Sequence, residues 1–147
     1  MLIDRDTLCS LIPHAGRMCL LDSVLRWDDN EILCESGSHL APGNPLRHDG
    51  RLASVHLVEY GAQAIAVHGS LMARQRGDRI IAGYLVALRD LDLQREYLDG
   101  IDAHLQIHAQ KLAAVEGNYL YNFEVSAEQQ ILASGRATVA ARTEHAA

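Results

Sequence analysis

The chain has 147 residues, 48% hydrophobic and 22% charged, with a formal net charge of −6. That length suits a single domain over residues 1–147, burying roughly two thirds of its unfolded-chain surface, and such hydrophobic content excludes a disordered chain. The acidic balance argues against a nucleic-acid module, whose partner demands a basic face. Charges in Met1-Leu-Ile-Asp-Arg-Asp stand where a signal peptide needs an apolar run. A short helix is predicted near Thr7 to Ile12. Met18 to Trp27 and Glu31 to Cys34 then read as a hairpin turning at Asp28-Asp29-Asn30. Cys9, Cys19 and Cys34 form neither a CxxC pair nor an even framework, so they read as reduced thiols of a cytoplasmic protein.

Ala53 to Ala73 is apolar on nearly every side, and its length approaches that of a membrane span. His56, Glu59, Gln63 and His68 interrupt it, so it reads as a helix wrapped by other structure. Gly61, Ala62, Ala64, Ala66 and Gly69 keep it slim, and Arg74 and Arg76 complement the dipole at its end. Strands are predicted at Ile80 to Leu88, at His104 to Lys111 with period-two alternation, at Tyr119 to Val125, and at Ile131 to Ala141. Gly117-Asn118 is the turn before the third of these, and Thr143 to Ala147 reads as a frayed tail. About six strands and one long helix make an α+β domain. A helix apolar on so many sides asks for a curved antiparallel sheet around it, the arrangement called a hot-dog fold.

Three segments carry a family resemblance. Leu11-Ile-Pro-His-Ala-Gly-Arg-Met-Cys-Leu-Leu-Asp22, Ser38-His39-Leu40-Ala41-Pro42-Gly43-Asn44-Pro45 and Val58-Glu59-Tyr60-Gly61-Ala62-Gln63-Ala64 follow one another in order. They resemble the β-hydroxyacyl–acyl carrier protein dehydratases of fatty acid synthesis. The Glu59-Tyr60-x-Ala62-Gln63-Ala64 variant is similar to a divergent branch associated with aryl-polyene clusters. The resemblance implies a hydro-lyase acting on a 3-hydroxyacyl thioester held by an acyl carrier protein, in fatty acid or polyene biosynthesis. It further implies a homodimer or higher homo-oligomer, with each site joining the histidine of one chain to the glutamate of the other. His39 is the implied base, Glu59 the implied acid and Gln63 its support, whereas His14 matches a structural or tunnel-mouth residue. The match is irregular: an extra residue precedes Pro42, Ser38 replaces glycine, and the stretch from Asn44 to Ser54 is long. His48 therefore stands as the alternative base.

The chemistry suits these residue types. Dehydration removes a weakly acidic proton beside a carbonyl and expels a poor leaving group, so it needs a base and an acid on either side of one C–C bond. Histidine titrates near working pH, and a carboxylic acid in an apolar setting can keep its proton. The helix amino terminus, near Gly50 to Ser54, offers N–H groups to charge developing on the thioester oxygen. Arg47 and Arg51 are candidates for substrate binding, through an acidic carrier protein. The same fold also hosts thioesterases, which would use Glu59 to activate water without His39, and non-catalytic partner subunits. Neither a glycine-rich phosphate loop, HExxH nor a zinc-spaced Cys/His set occurs, so no cofactor and no metal are implied.

Overall fold

The computed structural model describes residues 2–12 and 18–146; His14 lies outside them. Helix α1 (Arg5–Ser10) starts at Asp4, whose side chain accepts the Thr7 N–H and satisfies a donor that the helix cannot. Strands β1 (Ser23–Trp27) and β2 (Glu31–Ser36) form the expected hairpin. Asp28 closes it by accepting the N–H groups of both Asn30 and Glu31. Met18 to Asp22, expected to extend β1, is not strand. Side chains take the backbone groups that a ladder would use: Gln63 binds Met18 O and Leu20 N–H, Ser36 donates to Leu20 O, and Arg5 donates to Cys19 O and Leu21 O.

A turn of 3₁₀ helix, Ser54–His56, leads into α2 (Leu57–Gln75). Gly77 ends it at φ +76, a left-handed conformation that glycine adopts freely. The helix packs against β2, β3 (Asp78–Leu93), β4 (Leu105–Val115), β5 (Asn118–Ala127) and β6 (Gln130–His145). All six strands are antiparallel in one sheet of order β1-β2-β4-β5-β6-β3. This is the hot-dog arrangement. No helix among the described residues is long and apolar enough to cross a membrane.

Close packing of α2 on the sheet turns on one ring. Phe123, the only phenylalanine in the chain, points inward from β5 beside Tyr121 and Val125, as the alternation predicts. A Cβ at Gly61 would sit 2.5 Å from that ring, and one at Gly135 of β6 would sit 2.8 Å from it. Both glycines are therefore dictated by space. The expected frayed tail is corrected: Thr143, Glu144 and His145 pair with Ile80, Arg79 and Asp78. Because β3 begins directly after the Gly77 turn, its first residues hold the end of the chain in register.

The three cysteines are not all thiols. Cys9 and Cys19 form a disulfide, with Cα atoms 5.8 Å apart. Arg5 brings the two segments together by binding the Cys19 carbonyl from α1, a contact invisible to spacing rules. Cys34 is free, and burial pushes its thiol up to about 12.

Candidate active site

On α2 the half-buried residues Glu59, Ala62, Ala66, Gly69 and Met72 recur every three or four positions and form one stripe. No residue from Leu57 to Ala73 is exposed, so the helix is enclosed as expected, but the chain leaves a groove along this stripe. The groove measures about 450 Å³ and is walled by Tyr84 of β3, Tyr119 and Tyr121 of β5, and Val139 of β6. Its small floor residues and largely apolar walls suit a thin apolar chain.

Glu59 and Gln63 line this groove together. Gln63, almost wholly buried, donates from Nε2 to Glu59 Oε1 at 2.8 Å and to Met18 O at 2.6 Å. Its Oε1 accepts the Leu20 N–H at 2.9 Å. The amide is thus clamped at both ends and fixes the rotamer of the Glu59 carboxyl group one turn earlier.

His39 sits elsewhere, in the 3₁₀ turn Ser38–Leu40, and is not among the groove-lining residues. It is 3% exposed, and its Nε2 lies 2.9 Å from the Ile101 carbonyl. A carbonyl can only accept, so the proton is on Nε2 and the neutral ring keeps its lone pair on Nδ1. That Nδ1 is buried with no partner among the described residues. Burial also holds the His39 pKa below the ordinary histidine value of 6.5, outweighing the Ile101 contact. The result is a neutral imidazole with an uncommitted basic nitrogen.

A buried polar network sets the His39 turn on α2. Ser38 Oγ lies 2.7 Å from the Tyr60 hydroxyl, and Asn44 Nδ2 donates to both Ser38 O and Tyr60 Oη. Arg47 is spent on the same loop, donating to the carbonyls of His39, Ala41 and Gly50. Arg51 pairs with Asp99 at 2.7 Å and lies 3.5 Å over the Tyr97 ring. His48 is an exposed loop residue beside Asp49. The chain therefore joins Glu59 to Gln63, and His39 to Arg47, but makes no hydrogen bond between the two pairs.

One internal histidine escaped the sequence reading as a structural element. His68 is wholly buried; its Nε2 donates to Asp28 O at 2.7 Å, and its Nδ1 accepts from Tyr121 Oη at 2.6 Å. Burial lowers its pKa and raises that of Tyr121. The signal was available: nine residues after Glu59 is about half a helical turn out of phase, hence the opposite face.

Comparison with family models matches residues 7–147 to the ApeP-like family, described as ApeP dehydratase. The chain belongs to the ApeP-like dehydratase family. Comparison with curated protein sequences finds no match. Among solved structures, the chain is similar to the dehydratase heterocomplex ApeI:P from Xenorhabdus doucetiae. There the TM-score is 0.81 at 24% identity, over 92% of this chain and 90% of that one. A thioesterase mutant from Pseudomonas aeruginosa follows with a TM-score of 0.67 at 10% identity, covering 98% and 97%. A Haemophilus influenzae thioesterase gives 0.65 at 11% identity, covering 99% and 96%. At such identities these structures establish the shared hot-dog fold and no more. Membership of the ApeP-like family bears out the dehydratase resemblance read from the sequence.

Proposed function

We propose that this ApeP-like chain is a 3-hydroxyacyl–acyl carrier protein dehydratase, releasing water to give a trans-2-enoyl thioester in polyene or fatty acid biosynthesis. The observation that carries the reading is the His39 ring, held neutral with Nδ1 unpartnered. Nδ1 takes the proton from Cα; Glu59, as the carboxylic acid, gives its proton to the β-hydroxyl, which leaves as water. The electron pair of the broken C–H bond becomes the new C=C bond. Exchange with solvent then returns a proton to Glu59 and removes one from His39.

His39 and Glu59 must meet across the same substrate, and a second chain supplies the missing half. β3 is an edge strand of 16 residues whose outer side has no strand partner among the described residues. Ile81, Tyr84, Leu85, Val86, Leu88 and Leu91 are all exposed along it. An unpaired apolar edge of this length is a pairing surface. We assign it to a second copy of the chain, so that His39 of one protomer faces Glu59 of its partner. The neighbour from Xenorhabdus doucetiae is a heterocomplex, and a different hot-dog chain on β3 is the other outcome to test.

The deciding experiment offers the purified full chain a 3-hydroxyacyl carrier substrate and a saturated acyl thioester, with products followed by mass. Loss of water, abolished by His39→Ala, supports the dehydratase. Release of free thiol without an enoyl product makes the chain a thioesterase instead.

A further inference from the structure

Two side-chain atoms among the described residues are buried without a hydrogen-bond partner: His39 Nδ1 and Ser54 Oγ. The first is an acceptor and the second can donate. Folded proteins rarely leave such groups unmet, and each exception asks for a ligand or a role.

Ser54 is wholly buried and opens the 3₁₀ turn that leads into α2. The capping position of that turn is taken by Ala53, and the Ser54 Oγ is buried without a hydrogen-bond partner among the described residues. Its backbone is nevertheless fixed, for Ser54 N donates to Glu96 O at 2.8 Å. The segment from Glu96 to Ile101 then holds the rest of the region. Ala53 bridges Tyr97, Leu98 N donates to Leu52 O, and Ile101 O receives the His39 ring. One strap thus anchors both orphan groups, at the end of α2 where its dipole is positive.

We propose that Ser54 is a catalytic hydrogen-bond donor to the thioester carbonyl oxygen of the substrate whose α-proton His39 removes. The assignment rests on the dehydratase reading and adds a residue to it. As the Cα–H bond breaks toward Nδ1, its electron pair forms a Cα=C bond and the carbonyl π pair moves onto oxygen. Ser54 hydrogen-bonds to that oxygen and keeps its own proton. When the carbonyl re-forms, the pair shifts to the Cα=Cβ bond, and the Cβ–O bond breaks with the proton of Glu59 completing water. A donor fixed in a dry site binds the enolate oxygen more strongly than the neutral carbonyl, so it acts on kcat.

The test uses the full chain with Ser54→Ala and Ser54→Cys. It reads kcat and KM on a 3-hydroxyacyl pantetheine thioester, Tm, and the carbonyl stretch of a bound, isotope-labelled saturated acyl thioester. Ser54→Ala is expected to lower kcat by about 100-fold with KM nearly unchanged. Its Tm holds or rises, because a buried unmet hydroxyl is removed, and the carbonyl stretch moves to higher frequency than in wild type. Ser54→Cys, a weaker donor, falls between them. Wild-type kcat in Ser54→Ala, or a fall in Tm that accompanies the loss, overturns the assignment. If wild type turns over no 3-hydroxyacyl thioester yet shows the Ser54-dependent stretch, the dehydratase reading fails and the contact stands. An identical stretch in wild type and Ser54→Ala removes Ser54 whatever the turnover.

Discussion

Gln63 holds Glu59 by a 2.8 Å hydrogen bond and is itself held by the backbone of Met18 and Leu20. The carboxyl group is therefore aimed by a residue whose other contacts lie more than forty positions away in the chain. Gln63→Ala leaves the Leu20 N–H and the Met18 carbonyl unmet, which should cost about 1–3 kcal/mol of stability. Gln63→Glu keeps the volume but replaces a donor with a carboxylate facing the Glu59 carboxyl group and the Met18 carbonyl. We expect the first to lower Tm and kcat together, and the second to lower kcat more at neutral pH than at acid pH. Equal kcat at both pH values would show that Gln63 does not act through Glu59.

His39 and His48 differ in every property that bears on catalysis: one is buried with a single free nitrogen, the other exposed beside Asp49. His39→Ala should reduce kcat at least about 100-fold, the scale of a lost general base. His48→Ala should leave it unchanged. The reverse result moves the base to His48 while leaving the reaction class standing.

The pH dependence follows from two histidines whose folded pKa values lie below the ordinary 6.5, His39 and His68, both through burial. Above that value both folded and unfolded chains leave them neutral, and their contribution is fully present. As pH falls through the unfolded value, the unfolded chain takes up protons that the folded chain refuses. Stability drops until the folded values are reached. Tm should therefore decline from pH 7 toward pH 5, and NMR titration should place both rings below 6.5. A ring titrating above that value would contradict its described environment.

Space rather than conformation fixes Gly61. Alanine there gains about 1 kcal/mol of helix propensity yet drives a methyl into the Phe123 ring. Overpacking of this kind costs about 1–3 kcal/mol, so Gly61→Ala should lower Tm. Adding Phe123→Leu should recover part of the loss, and failure of that pair to couple would place the strain elsewhere.

Arg51, paired with Asp99 over Tyr97, remains the proposed contact for an acidic carrier protein. Arg51→Glu should raise KM for a carrier-bound substrate and spare a short soluble thioester. An equal effect on both would assign Arg51 to holding its own loop.

Much of the architecture was legible in the residues because it rests on local periodicity. The mostly apolar stretch 53–73 called for enclosure, which the structure gives it from Leu57 to Ala73, and the alternation of Tyr121, Phe123 and Val125 gave the inner face of β5. Asp28 marked its turn. What escaped depended on contacts far apart in sequence. The Cys9–Cys19 bridge needs α1 folded back on Cys19, and the ordered tail needs β3 beside it. In the site, Glu59 and Gln63 lie four residues apart on one helix and could be paired from spacing alone. The tautomer of His39 could not, since the carbonyl that sets it is 62 positions downstream. Ser54 escaped because a hydroxyl without a partner is a property of its surroundings, not of its type.

The bare edge of β3 has a further consequence. Its backbone N–H and C=O groups are the same whichever chain arrives, so hydrogen bonding cannot tell one companion from another. Discrimination between a twin and a sister chain falls to the knobs along that ribbon, Ile81, Tyr84, Val86 and Leu88 among them. Changing Ile81, Val86 or Leu88 would therefore alter the companion while leaving His39 and Glu59 in place.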